Sequence, residues 1–260
     1  MPTDAEPKLY LQRDQPPGVP PLALTGERTL PDVPEENYWY RRHLVVYEWI
    51  RARVGGRKVV DMACGEGYGS AVLGRTAREV VGVDANPEAH EHAKARYTSG
   101  HVRFERDLVE TFAEPCDAVV FLQTIEHVRN PDDVLEHFKT LLSGDGLVVL
   151  STPNLLTLAP QGAEKSENPW HIKEYRPEEF RALCEAHFSQ VELYGLFHAR
   201  MLAVHAFALE HLHWDAVHKG LGFSKPFYDR FTPAISERDF TLRTDRPLEG
   251  ALDFVALCRP

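Results

Sequence analysis

The sequence predicts an α/β protein built on one mostly parallel, doubly wound sheet. Three observations carry that prediction. Short apolar runs alternate with amphipathic segments from residue 57 to residue 197. Prolines 87, 131 and 177 stand at the first turn of three of those segments, where a missing N–H costs nothing. A glycine-rich turn joins the first strand to the helix that follows it.

Taken in order, residues 1–37 hold eight of the nineteen prolines and no sustained period, so they read as an extended N-terminal arm. The run YWYRRHLVVYEWIRAR, residues 38–53, has helical spacing. Trp39, Leu44, Tyr47 and Ile50 share one side, with arginines opposite, and Gly55-Gly56 ends the helix. Strands are expected at 57–62, 79–84, 101–105, 117–123, 146–153 and 189–197, and helices at 68–77, 87–97, 131–142 and 177–188. After residue 198 the rhythm changes. Residues 201–221 look helical, 225–240 look irregular, and ALDFVALC, 251–258, is a last strand. The chain therefore divides into the arm, 1–37, and one domain, 38–260, with 199–248 as a helical cap insertion beside the acceptor pocket.

A net charge of −10 argues against a general nucleic-acid or anionic-lipid surface. The four cysteines are scattered without a C-x-x-C pair, which favours free thiols and a cytoplasmic setting. No basic start followed by an apolar run marks a leader, and no apolar stretch is long enough to span a bilayer. The oligomeric state is left open.

The segment VVDMACGEGYGS, residues 59–70, carries the strongest chemical signal. A buried strand delivers Asp61 and turns through Gly65 and Gly67, whose missing side chains let backbone approach a ligand. The next strand ends in Asp84, seventeen residues after Gly67, with Ala85 beside it. A carboxylate there can accept both ribose hydroxyls of an adenosine ligand. A dinucleotide fingerprint would want glycine where Ser70 stands. Asp61 would repel a pyrophosphate but suits the cationic ammonium of S-adenosylmethionine (SAM).

These residues resemble motifs I and II of the class I SAM-dependent methyltransferases. Asp107-Leu108 resembles the pair that meets the adenine in that family. Residues 121–127, Phe-Leu-Gln-Thr-Ile-Glu-His, resemble the motif after strand four and bring Gln123 and Thr124 to the cofactor, as Ala63 does from motif I. GDGLVVLSTPN resembles the strand-five motif. The resemblance covers roughly 55–155 and implies a Rossmann-like, seven-stranded fold with an antiparallel last strand, and SAM as cofactor. A narrower resemblance, in LTGERTLPD, ENYWYRRHLVVYEW, NPWHIKEY and GLFH, is to an actinobacterial branch associated with methylated polysaccharides, the methylglucose lipopolysaccharides.

Methyl transfer is an in-line displacement in which the enzyme mainly positions the acceptor. A sugar hydroxyl is a poor nucleophile, so a base is expected, and His127 and His171 are the candidates. Both fall in loops beyond sheet strands, where ligands sit in such folds. Glu126, His127 and His171 together could hold a divalent metal such as magnesium. Tyr38 and Arg42, or Arg41, on the first helix are candidates for the methionine end of SAM. Trp170, Tyr175, His198 and Arg200 are candidate acceptor contacts. The expected acceptor is a sugar, oligosaccharide or polysaccharide hydroxyl. The alternatives are O- or C-methylation of a small secondary metabolite or quinone, and a silent SAM-binding partner. A nicotinamide-dependent dehydrogenase is disfavoured by Ser70 and Asp61.

Overall fold

The computed structural model describes residues 9–10, 12, 16–24, 28–160, 162–220 and 222–260. In the arm, β1 (Leu9–Tyr10) pairs antiparallel with β2 (Leu22–Ala23), and Leu22, Leu30 and Val33 make a small apolar cluster. The arm is tied down where the buried His92 donates from Nδ1 to the Pro20 carbonyl at 2.7 Å. Residues 1–8, 11, 13–15 and 25–27, also read as extended, lie outside the described residues.

Helix α1 (Asn37–Arg51) buries Leu44, Val46, Tyr47 and Ile50, the i, i+3 spacing that turns one face to the sheet. Its polar side departs from expectation. Arg42 is buried and Trp39 is 40% exposed, because Arg42 reaches an acid on the last strand.

The central sheet has eight strands. In chain order they are β3 (Lys58–Met62), β4 (Glu79–Val83), β5 (Val102–Glu105), β6 (Cys116–Leu122), β7 (Leu142–Pro153), β8 (Gln190–His198), β9 (Phe240–Arg243) and β10 (Asp253–Arg259). Across the sheet the order is β5-β4-β3-β6-β7-β10-β8-β9. The pairs from β5 to β7 are parallel, and β10 runs antiparallel to both β7 and β8. The fold is the Rossmann-like one expected, enlarged by β9, which pairs antiparallel with the edge of β8. Alternate residues feed two cores: Val59, Val80 and Val120 face the side of α1, whereas Val60, Val81 and Val119 face Phe138, Phe180 and Phe254.

Five shorter helices connect these strands: α2 (Tyr68–Leu73), α3 (Pro87–Tyr97), α4 (Pro131–Leu141), α5 (Leu155–Leu158) and α6 (Pro177–His187). The insertion holds α7 (Arg200–Leu212), α8 (Trp214–Gly220) and α9 (Ser224–Ala234), so the stretch read as irregular is largely helical. His213, at φ 49°, breaks the expected long helix in two. Asn37 fastens the insertion to α1 by donating from Nδ2 to the carbonyls of Thr232 and Ile235. No helix among the described residues is long and apolar enough to cross a membrane.

Candidate functional site

The site lies beyond the carboxyl ends of β3, β4, β6 and β7, where a doubly wound sheet changes direction. Three adjoining cavities occupy it. The inner one lies over the turn after β3 and is lined by Ala63, Cys64, Gly65, Tyr47, Tyr68, Gln123 and Thr124. The outer one adds Asp84, Asn86, His127 and Trp170. The third, of about 260 Å³, is bounded by Glu36, Trp39, Arg42, His43, Gln123, Glu126, His127, Asn168 and His171.

The turn holds its shape through three positive-φ residues, Ala63 at 54°, Gly65 at 59° and Gly67 at 96°. The two glycines do different work. A Cβ on Gly65 would meet nothing within 4 Å, so its backbone borders open space. A Cβ on Gly67 would stand 2.7 Å from the Ala93 Cβ and against Phe104, so Gly67 lets α2 pack close to its neighbours instead of lining the cleft. Asp84 fastens the turn to β4: its Oδ2 accepts the Gly65 N–H at 2.8 Å and its Oδ1 accepts the Asn86 N–H at 2.9 Å.

Asp61 is fully buried under the turn, accepting from Ser70 Oγ at 2.6 Å and Tyr47 Oη at 3.3 Å. Burial pushes its carboxyl up to about 7, outweighing the two hydrogen bonds. A cation above the turn would relieve that cost. Asp84 is also raised by burial. An open glycine edge, a half-buried acid on the second strand and a buried acid awaiting positive charge fit SAM, whose ribose and ammonium those acids would hold.

Beyond β6, Gln123 (φ 50°) donates its N–H to the Ser151 carbonyl at 3.0 Å and its Nε2 to Ser151 Oγ at 3.0 Å. A 3-10 turn, Ile125–His127, then brings Glu126 inward, where its Oε2 accepts from Thr152 Oγ1 at 3.0 Å. Burial pushes Glu126 up to about 8. The loop after β7 is zipped onto that turn, with the N–H groups of Ile172 and Lys173 donating to the Glu126 carbonyl. His127 donates from Nδ1 to the Trp170 carbonyl at 3.0 Å, which puts the ring lone pair on Nε2. His171 is buried between the Glu174 carboxylate, 2.6 Å from Nδ1, and the Asn168 amide, 2.9 Å from Nε2. Ser166 holds Glu174 in turn through its N–H and hydroxyl. The two imidazoles meet edge to face at 5.0 Å, and ligand atoms of Glu126, His127 and His171 lie within 4.8 Å of one another.

Several sequence candidates sit elsewhere. Arg42 does not reach the inner cavity: its Nε and Nη2 grip Asp253 at 2.7 and 2.5 Å, and Nη2 also donates to the Leu252 carbonyl. Arg41 pairs with Glu237 at 3.3 Å. The Tyr38 hydroxyl bonds His198 Nε2 at 2.8 Å, so each occupies the other away from all three cavities. Burial pushes His198 down to about 4. Tyr175 is wholly buried against Phe180 and belongs to the core. Arg200 heads α7, and neither it nor any other described residue of the insertion lines the three cavities of the site. The cap packs on α1 instead. Asp107 accepts from the Leu108 N–H and Thr111, leaving Leu108 53% exposed beyond β5, while Ala85 is exposed next to Asp84.

Sequence reasoning passed over Arg28, Glu36, Trp39, His43, Asn168 and Glu174. Trp39, Arg42 and His43 share one helical face, and Arg42 lies under the Trp39 ring at 5.0 Å. His43 borders both the inner cavity and the third cavity, and burial pushes it down to about 4, leaving a neutral imidazole between them.

Residues 38–206 match the family model for a methyltransferase domain. The chain belongs to the SAM-dependent methyltransferases. A probable SAM-dependent methyltransferase of Mycobacterium tuberculosis is 39% identical over 184 residues, covering 70% of this chain and 66% of that protein. The chain thus spans just under two thirds of that relative's length. A Mycolicibacterium smegmatis relative is 40% identical over 186 residues, 70% of this chain and 71% of its own. The methyltransferase fold is shared with a Thermotoga maritima SAM-dependent methyltransferase described as a possible histamine N-methyltransferase. There the TM-score is 0.57 at 14% identity, covering 86% of this chain and 94% of that one. Fold and acceptor are separate matters, since the [4+2]-cyclase SpnF is nearly as similar in shape, at a TM-score of 0.53 and 16% identity over 84% of this chain and 81% of its own.

Proposed function

We propose that this methyltransferase moves the methyl group of SAM to a hydroxyl of a sugar or oligosaccharide. The observation that carries the reading is the third cavity. Its wall sets the exposed indole of Trp39 beside Glu36, Gln123, Asn168, His127 and His171. An aromatic face with hydrogen-bonding groups around it suits a pyranose, which offers an apolar C–H face and a rim of hydroxyls.

SAM supplies the electrophilic methyl; the chain's own residues do the rest. The turn after β3 and Asp84 fix the donor, and Gln123 and His43 border both cavities where donor and acceptor meet. His127, with its lone pair on Nε2, takes the hydroxyl proton as the oxygen attacks. His171, backed by the Glu174 carboxylate, keeps the opposite wall in place.

A second reading has specific support in the cluster of Glu126, His127 and His171. Two imidazoles and a carboxylate are a fitting donor set for a divalent metal, which would make a bound hydroxyl more acidic. It would also keep Glu126 ionised, but His171 would have to release Asn168. Quinone-like phenols are the alternative acceptor. A Haemophilus ducreyi ubiquinone biosynthesis O-methyltransferase is 28% identical over 155 residues, covering half of this chain and 64% of its own.

The test is incubation with methyl-labelled SAM and a panel of gluco- and manno-oligosaccharides beside a catechol. Label in a sugar is expected. Label in the catechol alone would overturn the sugar reading.

A further inference from the structure

The methionine end of SAM carries an ammonium and a carboxylate. Asp61, buried beneath the turn, is the acid that would answer the first. The cations expected for the second, Arg41 and Arg42, are spent on Glu237 and Asp253. Yet a zwitterion's carboxylate entering a cleft between buried acids needs a positive partner to offset the loss of water.

One guanidinium meets the requirement. Arg28, half-buried in the arm, borders all three cavities, beside Gly65, Gln123 and Thr124. It is the sole Lys or Arg lining the inner cavity among the described residues. Among those residues it has no ion-pair or hydrogen-bond partner, although its charge is felt at Asp84. Its neighbour Thr29 is held by the Tyr68 hydroxyl at 3.2 Å, and Tyr68 opens the helix that follows the glycine turn. Leu30 is buried one residue on. These contacts moor the backbone on its C-terminal side directly over the donor cleft.

We propose that Arg28, delivered by the N-terminal arm, binds the α-carboxylate of SAM. The planar fork of a guanidinium matches a carboxylate with two parallel hydrogen bonds. The arm is thereby part of the donor site, and the amino-acid half of the cofactor is read from outside the Rossmann-like domain. This rests on SAM as donor and is independent of the acceptor.

The experiment compares two ligands by isothermal titration. S-adenosylhomocysteine has the amino-acid end; 5′-methylthioadenosine lacks it. Arg28→Gln should weaken the first by about 10- to 100-fold, the value of a charge-assisted pair, and leave the second unchanged. Arg28→Lys, which keeps the charge but not the fork, should fall between. Unchanged binding of S-adenosylhomocysteine by Arg28→Gln would overturn the assignment. So would an equal loss for both ligands, which would make Arg28 a partner of Asp84 or a wall of the cleft. Failure of the wild-type chain to bind S-adenosylhomocysteine would instead strike at the donor itself. A thermal melt of each variant checks that the fold is kept, and Arg28→Lys carries the comparison if Arg28→Gln melts early.

Discussion

The two halves of the cleft that we assign to donor and acceptor are built in opposite ways. The donor half is centred on one short stretch, Asp61 to Asp84, where backbone bent by glycines is held by rigid strands, and Arg28, Gln123 and Thr124 complete its wall. The acceptor half gathers side chains from α1, the turn after β6 and the loop after β7, stitched by hydrogen bonds such as His127 to Trp170 and His171 to Glu174. On that assignment local geometry would set the donor, whereas an assembly of distant segments would choose the acceptor. Changes in the first half should appear in SAM affinity. Changes in the second should appear in turnover.

The largest effect expected is one that ignores the division. Arg42 and Asp253 are a buried bidentate pair, with side chains 6% and 1% exposed, that ties α1 to β10 beneath the acceptor wall. Asp253→Ala strands a buried guanidinium, which costs about 3–5 kcal/mol. Urea denaturation should show that loss, and a midpoint within error of wild type would mean the pair is not what anchors α1.

Asp84→Ala is next and stays within the donor half. Loss of the ribose acceptor should weaken SAM by about 2–3 kcal/mol, while turnover at saturating SAM changes much less. If titration calorimetry finds unchanged affinity, the acid does not hold the ribose.

His127→Ala addresses the acceptor half. Turnover should fall by at least about tenfold with SAM affinity kept. His171→Ala should behave alike if the pair acts together. Should a chelator abolish activity and magnesium or manganese restore it, the metal reading gains; indifference to chelator leaves the imidazole as base. Wild-type turnover in both variants would leave positioning alone to carry the reaction.

The smallest effect is a pH dependence that separates the halves again. Asp61 and Glu126 both have folded-state values raised by burial, to about 7 and about 8. A raised carboxyl binds more protons folded than unfolded. Its stabilising contribution is therefore present below the ordinary carboxylate range and is lost as pH rises through the folded value. SAM should reverse this at Asp61 by bringing an ammonium, so its affinity should climb as pH rises through about 7. Asp61→Asn should flatten that climb, and should stabilise the cofactor-free protein at pH 8 by roughly 1 kcal/mol while weakening SAM. A wild-type affinity independent of pH between 6 and 8 would place the ammonium elsewhere.

The same division explains what could be read from sequence. The strands from 58 to 153 were legible because each is a short apolar run bounded by turn residues, and Asp61, Gly65 and Asp84 lie within one strand–turn–helix–strand unit. Arg42 was misplaced because its partner is 211 residues away. Tyr175 and His198 looked like site residues in a loop and at a strand end, but the first fills the core and the second is claimed by Tyr38. Within the insertion only residues 225–240 look irregular in sequence, yet most of that stretch is α9. Pro226 sits in the first turn of α9, where no N–H is needed, and Pro233 next to its end, where little helix remains to break. The strand β9 has only four residues and is placed by the capped turn at Ser236–Asp239, a cue too short to register as a period. Trp39 and His43 were visible in principle, as i and i+4 on one helical face, but their value depended on knowing which cavity that face borders.

One consequence of the sheet order concerns assembly of the chain. β10 is bonded on both sides, to β7 and to β8, so β8 and β9 join the parallel half only through it. The strand made last among these is the one that joins the two parts. Until residues 253–259 have emerged, β8 and β9 lack the strand that connects them to the parallel half, and Arg42 has no acid to grip. Closure of this sheet is therefore a late, long-range event, the kind that slows folding and leaves strand edges waiting. During that interval β7 offers an unpaired, largely apolar edge to whatever strand arrives first.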